Sequence, residues 1–134
     1  EHLKNEADTA GVMITHDLGV IATMCRRILV MYGGIVCEQG TAREIFYEPK
    51  HPYTWGLLHS IPKITEHKRE KLIPIDGTPP DMLRPPKGCP FAPRCPYQMP
   101  VCREYLAPET AMSDTHAVAC HLMHPKAPKI ERGM

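Results

Sequence analysis

Two sets of residues in this chain have the types and spacing to do chemistry. The first is His16, which ends the apolar run Val12-Met13-Ile14-Thr15 and is followed at once by Asp17-Leu18. An apolar run without alternation suits a strand buried on both faces, as in a parallel sheet covered by helices. A histidine at the C-terminal tip of such a strand lies at the edge where α/β sheets bind ligands. The plainer alternative is a polar residue in a turn. The second set is Cys89-x5-Cys95-x6-Cys102-x17-Cys120. Thiolates bind soft metals, and four of them complete either a tetrahedral zinc site or an iron–sulfur cube. Zinc sites favour C-x2-4-C pairs, which this segment lacks, and spacings of five and six fit a larger centre better. Metal-free thiols and disulfides are the remaining readings. His116, His121 and His124 read first as loop residues, with His121 a fallback ligand in a zinc site. Cys25 and Cys37 fall on apolar element faces and read as core.

Several elements must position these groups. Asp17 is a good N-cap, and Leu18, Ile21, Ala22 and Cys25 recur behind it at helical spacing, so a helix is predicted over 17–25. Residues 27–32 and 35–39 read as strands joined at Gly33-Gly34, a pair that accepts the positive φ of a tight hairpin. Thr41-x-x-Glu44 is a capping box ahead of a helix that Pro49 ends. Pro52 opens another helix, with Tyr53, Leu57, Leu58 and Ile61 on one face, and Pro62 stops it. Residues 63–71 are polar and charged and read as a linker. Leu72-Ile73-Pro74-Ile75 suggests a short edge strand. Prolines then crowd the chain as far as Pro100, which excludes long helix or regular sheet and calls for another source of order. A metal centre would supply it.

The chain has 134 residues, enough for one ordinary core or two small ones. Its net charge of +1 offers no electrostatic case for nucleic acid as a partner. No apolar run approaches the roughly 18 residues of a membrane span, and no signal-peptide pattern occurs.

Ile14-Thr15-His16-Asp17-Leu18 resembles the switch-histidine segment of ABC-transporter ATPases. The likeness continues through Arg26-Arg27-Ile28-Leu29-Val30-Met31-Tyr32-Gly33-Gly34-Ile35-Val36-Cys37-Glu38-Gln39-Gly40, although Arg26 stands where that family usually has Asp. His51-Pro52-Tyr53-Thr54, Gly88-Cys89-Pro90-Phe91-Ala92-Pro93-Arg94-Cys95 and Val118-Ala119-Cys120-His121 narrow the resemblance to the oligopeptide/dipeptide branch of importer ATPases.

The resemblance implies an α/β fold class: the C-terminal part of a P-loop ABC ATPase domain, followed by a small irregular Pro/Cys-rich extension. The expected division is 1–62 for the ATPase part, 63–71 for a linker, 72–124 for the Cys-rich extension and 125–134 for a flexible tail. It also implies ATP and Mg²⁺ as cofactors of the whole protein, with His16 approaching the γ-phosphate as both catalytic and nucleotide-binding residue. In that branch the four cysteines, here Cys89, Cys95, Cys102 and Cys120, are associated with a [4Fe–4S] cluster, Zn²⁺ being the alternative. Implied partners are a second ATP-binding subunit, identical or not, two membrane permease subunits and, indirectly, a peptide-binding protein, at the cytoplasmic face of the membrane. No G-x-x-x-x-G-K-[ST] phosphate loop occurs in these residues, so the expectation is a C-terminal fragment that does not hydrolyse ATP alone. The competing expectation is a zinc or iron–sulfur interaction or redox-sensing module that acts without ATP.

Overall fold

The strand β1, Arg27–Tyr32, alternates strictly between exposed and buried, and points Ile28, Val30 and Tyr32 into the interior. It turns through Gly33 and Gly34, whose φ values of 54° and 79° are the left-handed pair of a type I′ hairpin. The return strand β2, Ile35–Thr41, pairs with it antiparallel. Its register slips once: Met31 faces Val36 and Val30 faces Glu38, so Cys37 is the extra residue of a bulge. The bulge breaks the alternation, and Cys37 and Glu38 are consecutive and both buried. These and the following details come from a computed structural model that describes residues 10–61 and 75–130.

The short helix α1, Leu18–Met24, lies before this hairpin, capped by Asp17, whose carboxylate accepts the Gly19 and Val20 N–H groups at 2.9 and 3.2 Å. Helix α2, Ala42–Tyr47, follows β2 and carries the expected capping box between Thr41 and Glu44. Helix α3, Pro52–His59, begins at Pro52. Ile28, Val30 and Ile45 form one core cluster, to which α1 adds Ile21 and α3 adds Tyr53 and Leu57.

Two expectations are corrected. Residues 12–15 form no strand, and Val12 and Ile14 are 94 % and 97 % exposed. A central parallel strand must hand its backbone N–H and C=O groups to neighbours on both edges, and no described residue pairs with this segment. Residues 72–74 lie outside the described residues, as does the linker 63–71, and Ile75 is in no strand. The Cys-rich region is not wholly irregular. It contains a second hairpin, β3 Glu109–Ala111 and β4 Ala117–Ala119, besides a one-turn helix α4, Val101–Glu104. Glu38 and Gln39 of β2 pair with Val118 and Ala117 of β4, giving one antiparallel sheet in the order β1-β2-β4-β3.

Polar contacts lock the two hairpins together. The buried Glu38 carboxylate accepts the backbone N–H groups of Lys50 and His51 at 2.7 and 3.0 Å, and His116 Nε2 stands 2.8 Å from its Oε1. His116 lies in the loop between β3 and β4, as its reading as a loop residue has it, and is in addition a buried partner of Glu38. Glu44 reaches across as well, accepting hydroxyl protons from Ser113 and Thr115 at 2.7 and 2.9 Å.

These hydroxyls, Ser113 first and then the Thr41 N–H, hold the Glu44 carboxyl down at about 2 against an ordinary 4.5. A carboxylate depressed in the folded state adds stability that is complete above its unfolded pKa and lost as pH falls through the folded one. Stability should therefore drop as pH falls from about 4.5 to about 2, and Glu44→Gln should flatten that part of the profile in urea melts taken at a series of pH values. An unaltered profile in the variant would contradict the assignment.

Candidate metal centre

Each cysteine of the Cys89–Cys120 set is held by a tight turn. Cys89 donates its N–H to the Cys102 carbonyl at 2.8 Å, which ties the first and third cysteines together. Gly88 permits this approach, because a Cβ there would lie 2.3 Å from the Cys102 carbonyl oxygen. The Cys89 carbonyl accepts from Ala92, the Cys95 carbonyl from Gln98 and the Cys120 carbonyl from Met123, at 3.0, 3.2 and 3.0 Å. Proline fixes φ at several of these turns, so the loops lose little entropy on ordering.

The platform beneath the turns is aromatic. Phe91 is 2 % exposed and packs on Tyr32 and Tyr53, each 5.3 Å away between ring centroids. With Tyr32 and Cys37 it forms the second core cluster, against which Cys89 and Cys95 pack. Arg94 anchors the neighbouring loop: its guanidinium donates to the Asp76 and Ile75 carbonyls at 2.8 and 2.6 Å and to the Tyr32 hydroxyl at 3.0 Å. Trp55 of α3 stacks edge-on against Tyr97, with centroids 5.6 Å apart.

Cys89, Cys95, Cys102 and Cys120 line one cavity, together with His51 and Tyr97. All six sulfur pairs of the set are close enough to influence one another electrostatically. Burial, reinforced by the other three thiols, pushes Cys120 up to about 12. Burial, with Cys89 and Cys102 adding to it, pushes Cys95 up to about 11, and burial raises Cys89 in the same direction. Cys89, Cys95 and Cys120 thus resist ionisation in this desolvated space, and a bound soft cation reverses that balance by neutralising the thiolates. All six cysteines of the chain are free. Among the described residues no three His, Cys, Asp or Glu side chains are grouped to hold a single metal ion.

The other candidates fall elsewhere. Cys37 lies in the core beside the cavity, raised by burial to about 12, and Cys25 packs against the first core cluster. His121 Nε2 lies 3.0 Å from the Tyr105 carbonyl, and the residue also borders the cavity. His16 is exposed at the bend before α1 and has no part in the cavity. His51 was not singled out by sequence as a site residue, yet it is 1 % exposed and forms part of the cavity wall. Burial pushes its imidazole down to about 4, so it is neutral near pH 7. A histidine immediately before a helix-opening proline is the only signal the sequence offered.

Residues 37–102 match the family model described as oligopeptide/dipeptide transporter, C-terminal region. The oligopeptide transport ATP-binding protein OppD of Bacillus subtilis (strain 168) is 50% identical over 129 residues, which is 96% of this chain and 36% of that protein. The dipeptide transport ATP-binding protein DppD of the same organism is 48% identical over 127 residues, 95% of this chain and 38% of that protein. OppD of Salmonella typhimurium (strain LT2) is 50% identical over 118 residues, 88% of this chain and 35% of that protein. The chain thus spans a little over a third of the length of the relatives it matches.

Proposed function

The chain belongs to the oligopeptide/dipeptide transporter family, C-terminal region, and from that premise we propose that it is part of the ATP-hydrolysing subunit of a peptide importer. The observation that carries this reading is identity near one half, spread over almost the whole chain, to ATP-binding proteins of peptide transport. A metal-binding module that works without ATP would leave the likeness outside the cysteine region unaccounted for.

In this reading ATP and Mg²⁺ are held by segments of the subunit that these residues do not include, since no phosphate loop occurs among them. His16 hydrogen-bonds the γ-phosphate or the attacking water and stabilises the charge that develops during transfer. Asp17 caps α1 and holds the turn that presents His16. The subunit pairs with a second ATP-binding subunit and drives two permease subunits fed by a peptide-binding protein, from the cytoplasmic face of the membrane. No helix among the described residues is long and apolar enough to cross a membrane, which suits a peripheral subunit.

The four cysteines are proposed to hold a [4Fe–4S] cluster. A zinc ion with Zn–S bonds of about 2.3 Å would draw four sulfurs to about 3.8 Å from one another in a tetrahedron. The thiols line one cavity, and their spacings of five and six residues suit a larger centre better than the short pairs of zinc sites. Bound there, the cluster supplies a one-electron redox centre and cross-links the proline-rich turns. Folding of these turns is its proposed role, because among the region's described residues no strand is longer than three residues and no α-helix longer than four.

Reconstituting the full-length protein with its permease partners in liposomes tests the transport function. ATP-dependent uptake of a labelled tripeptide is expected, and uptake that proceeds equally without ATP would refute it.

A further inference from the structure

His16 stands at a bend between Thr15 and Asp17, and both neighbours turn their side chains onto the local backbone. The Thr15 hydroxyl oxygen accepts the Asp17 N–H at 3.0 Å and so closes a turn across His16. The Asp17 Oδ1 accepts the Gly19 and Val20 N–H groups at 2.9 and 3.2 Å. A helix start leaves four N–H groups without intrahelical partners, here those of Asp17, Leu18, Gly19 and Val20. Three of the four are satisfied by these two side chains, with Thr15 serving the one nearest His16. None of these bonds involves the imidazole, so they set its direction only through the backbone that carries it. Threonine suits this place, because its branched Cβ restricts χ1 and the hydroxyl is held at little cost in rotamer freedom.

We propose that Thr15 is a positioning residue for His16, its hydroxyl fixing the bend that aims the imidazole at the γ-phosphate or the attacking water. The proposal rests on the role of His16 given above and adds the residue that sets its direction. Thr15 touches no reacting atom in this scheme and acts only through His16. A misplacement of about 1 Å can cost a transition-state contact up to about 10² in rate. Loosening the bend without removing the imidazole should therefore cost about tenfold, less than the loss of His16 itself.

Thr15→Val keeps the size and the branched Cβ but removes the acceptor, whereas Thr15→Ser keeps the acceptor. In the full-length protein Thr15→Val should lower kcat for ATP about tenfold and change KM less than about twofold. Thr15→Ser should bring kcat back to within about threefold of the parent. The decisive comparison is made in the His16→Ala background, where Thr15→Val should cause no further loss, because the two residues act as a unit. A merely structural role would lower turnover in both backgrounds, and that result would refute the proposal. So would a Thr15→Val kcat within about twofold of the parent while His16→Ala loses about 10². A His16→Ala kcat near that of the parent would instead remove the reading of His16, and this inference with it. Should Thr15→Val fail to fold, the unmutated full-length protein still decides. Crystallised with a non-hydrolysable ATP analogue, it should keep the Thr15 hydroxyl on the Asp17 N–H, and a hydroxyl turned elsewhere would overturn the proposal.

Discussion

Replacing Cys89, Cys95, Cys102 or Cys120 singly by serine should strip the centre, lowering iron from about four atoms per chain to a small fraction of that. The loss should spread beyond the mutated sulfur. Cys89 is tied to Cys102 through its N–H, Cys95 closes one turn and opens the next, and Cys120 follows β4 directly. The cluster would be the only covalent link among these turns, because all six cysteines are free of disulfides. Residues 75–124 should therefore lose hydrogen-exchange protection together, as expected where ligand binding and local folding are coupled. Serine at Cys25 or Cys37 should leave iron unchanged. Cys37 will still cost stability, since it is 1 % exposed in the Tyr32–Phe91 cluster. Full iron in all four ligand variants would contradict the assignment.

His16→Ala in the full-length protein should lower ATP turnover by a factor on the order of 10² or more, the usual cost of removing one preorganised transition-state donor. ATP affinity should change little, because the phosphate-cradling amides belong to a loop not among these residues. The effect should appear in kcat and not in the dissociation constant, the pattern of an interaction made mainly in the transition state. A kcat within threefold of the parent would remove His16 from the chemistry. His16 stands exposed at a bend, and Val12 and Ile14 beside it are exposed apolar residues.

Local chemistry was the most legible part of the fold. Asp17, the Gly33-Gly34 turn, the Thr41–Glu44 box and Pro52 all act within a few residues of themselves, and each stands where its residue types require. The run Val12–Thr15 misled because a buried strand exists only through its neighbours, and among the described residues it has none. The second hairpin was illegible for another reason. Strands of three residues carry too little alternation to stand out, and β4 is placed by pairing with Glu38 and Gln39, some 78 residues away in sequence. The Cys37 bulge was hidden likewise, since only the register with β1 reveals an extra residue.

The cysteines were legible as a set from composition and spacing, but their surroundings were not. Sequence could not place His51 beside them, because the link runs through Glu38, Phe91 and the start of α3. Nor could it separate zinc from a cube, a choice that turns on how far apart four sulfurs stand around a shared cavity. The resemblance of the Gly88–Cys95 and Val118–His121 segments to the importer branch indicated the cluster, and the structure adds that all four cysteines line one cavity.

The most direct test of the central claim is the iron and acid-labile sulfide content of full-length protein made and kept without oxygen. About four iron and four sulfide per chain, with no zinc, are expected. One zinc per chain with neither iron nor sulfide would contradict the claim.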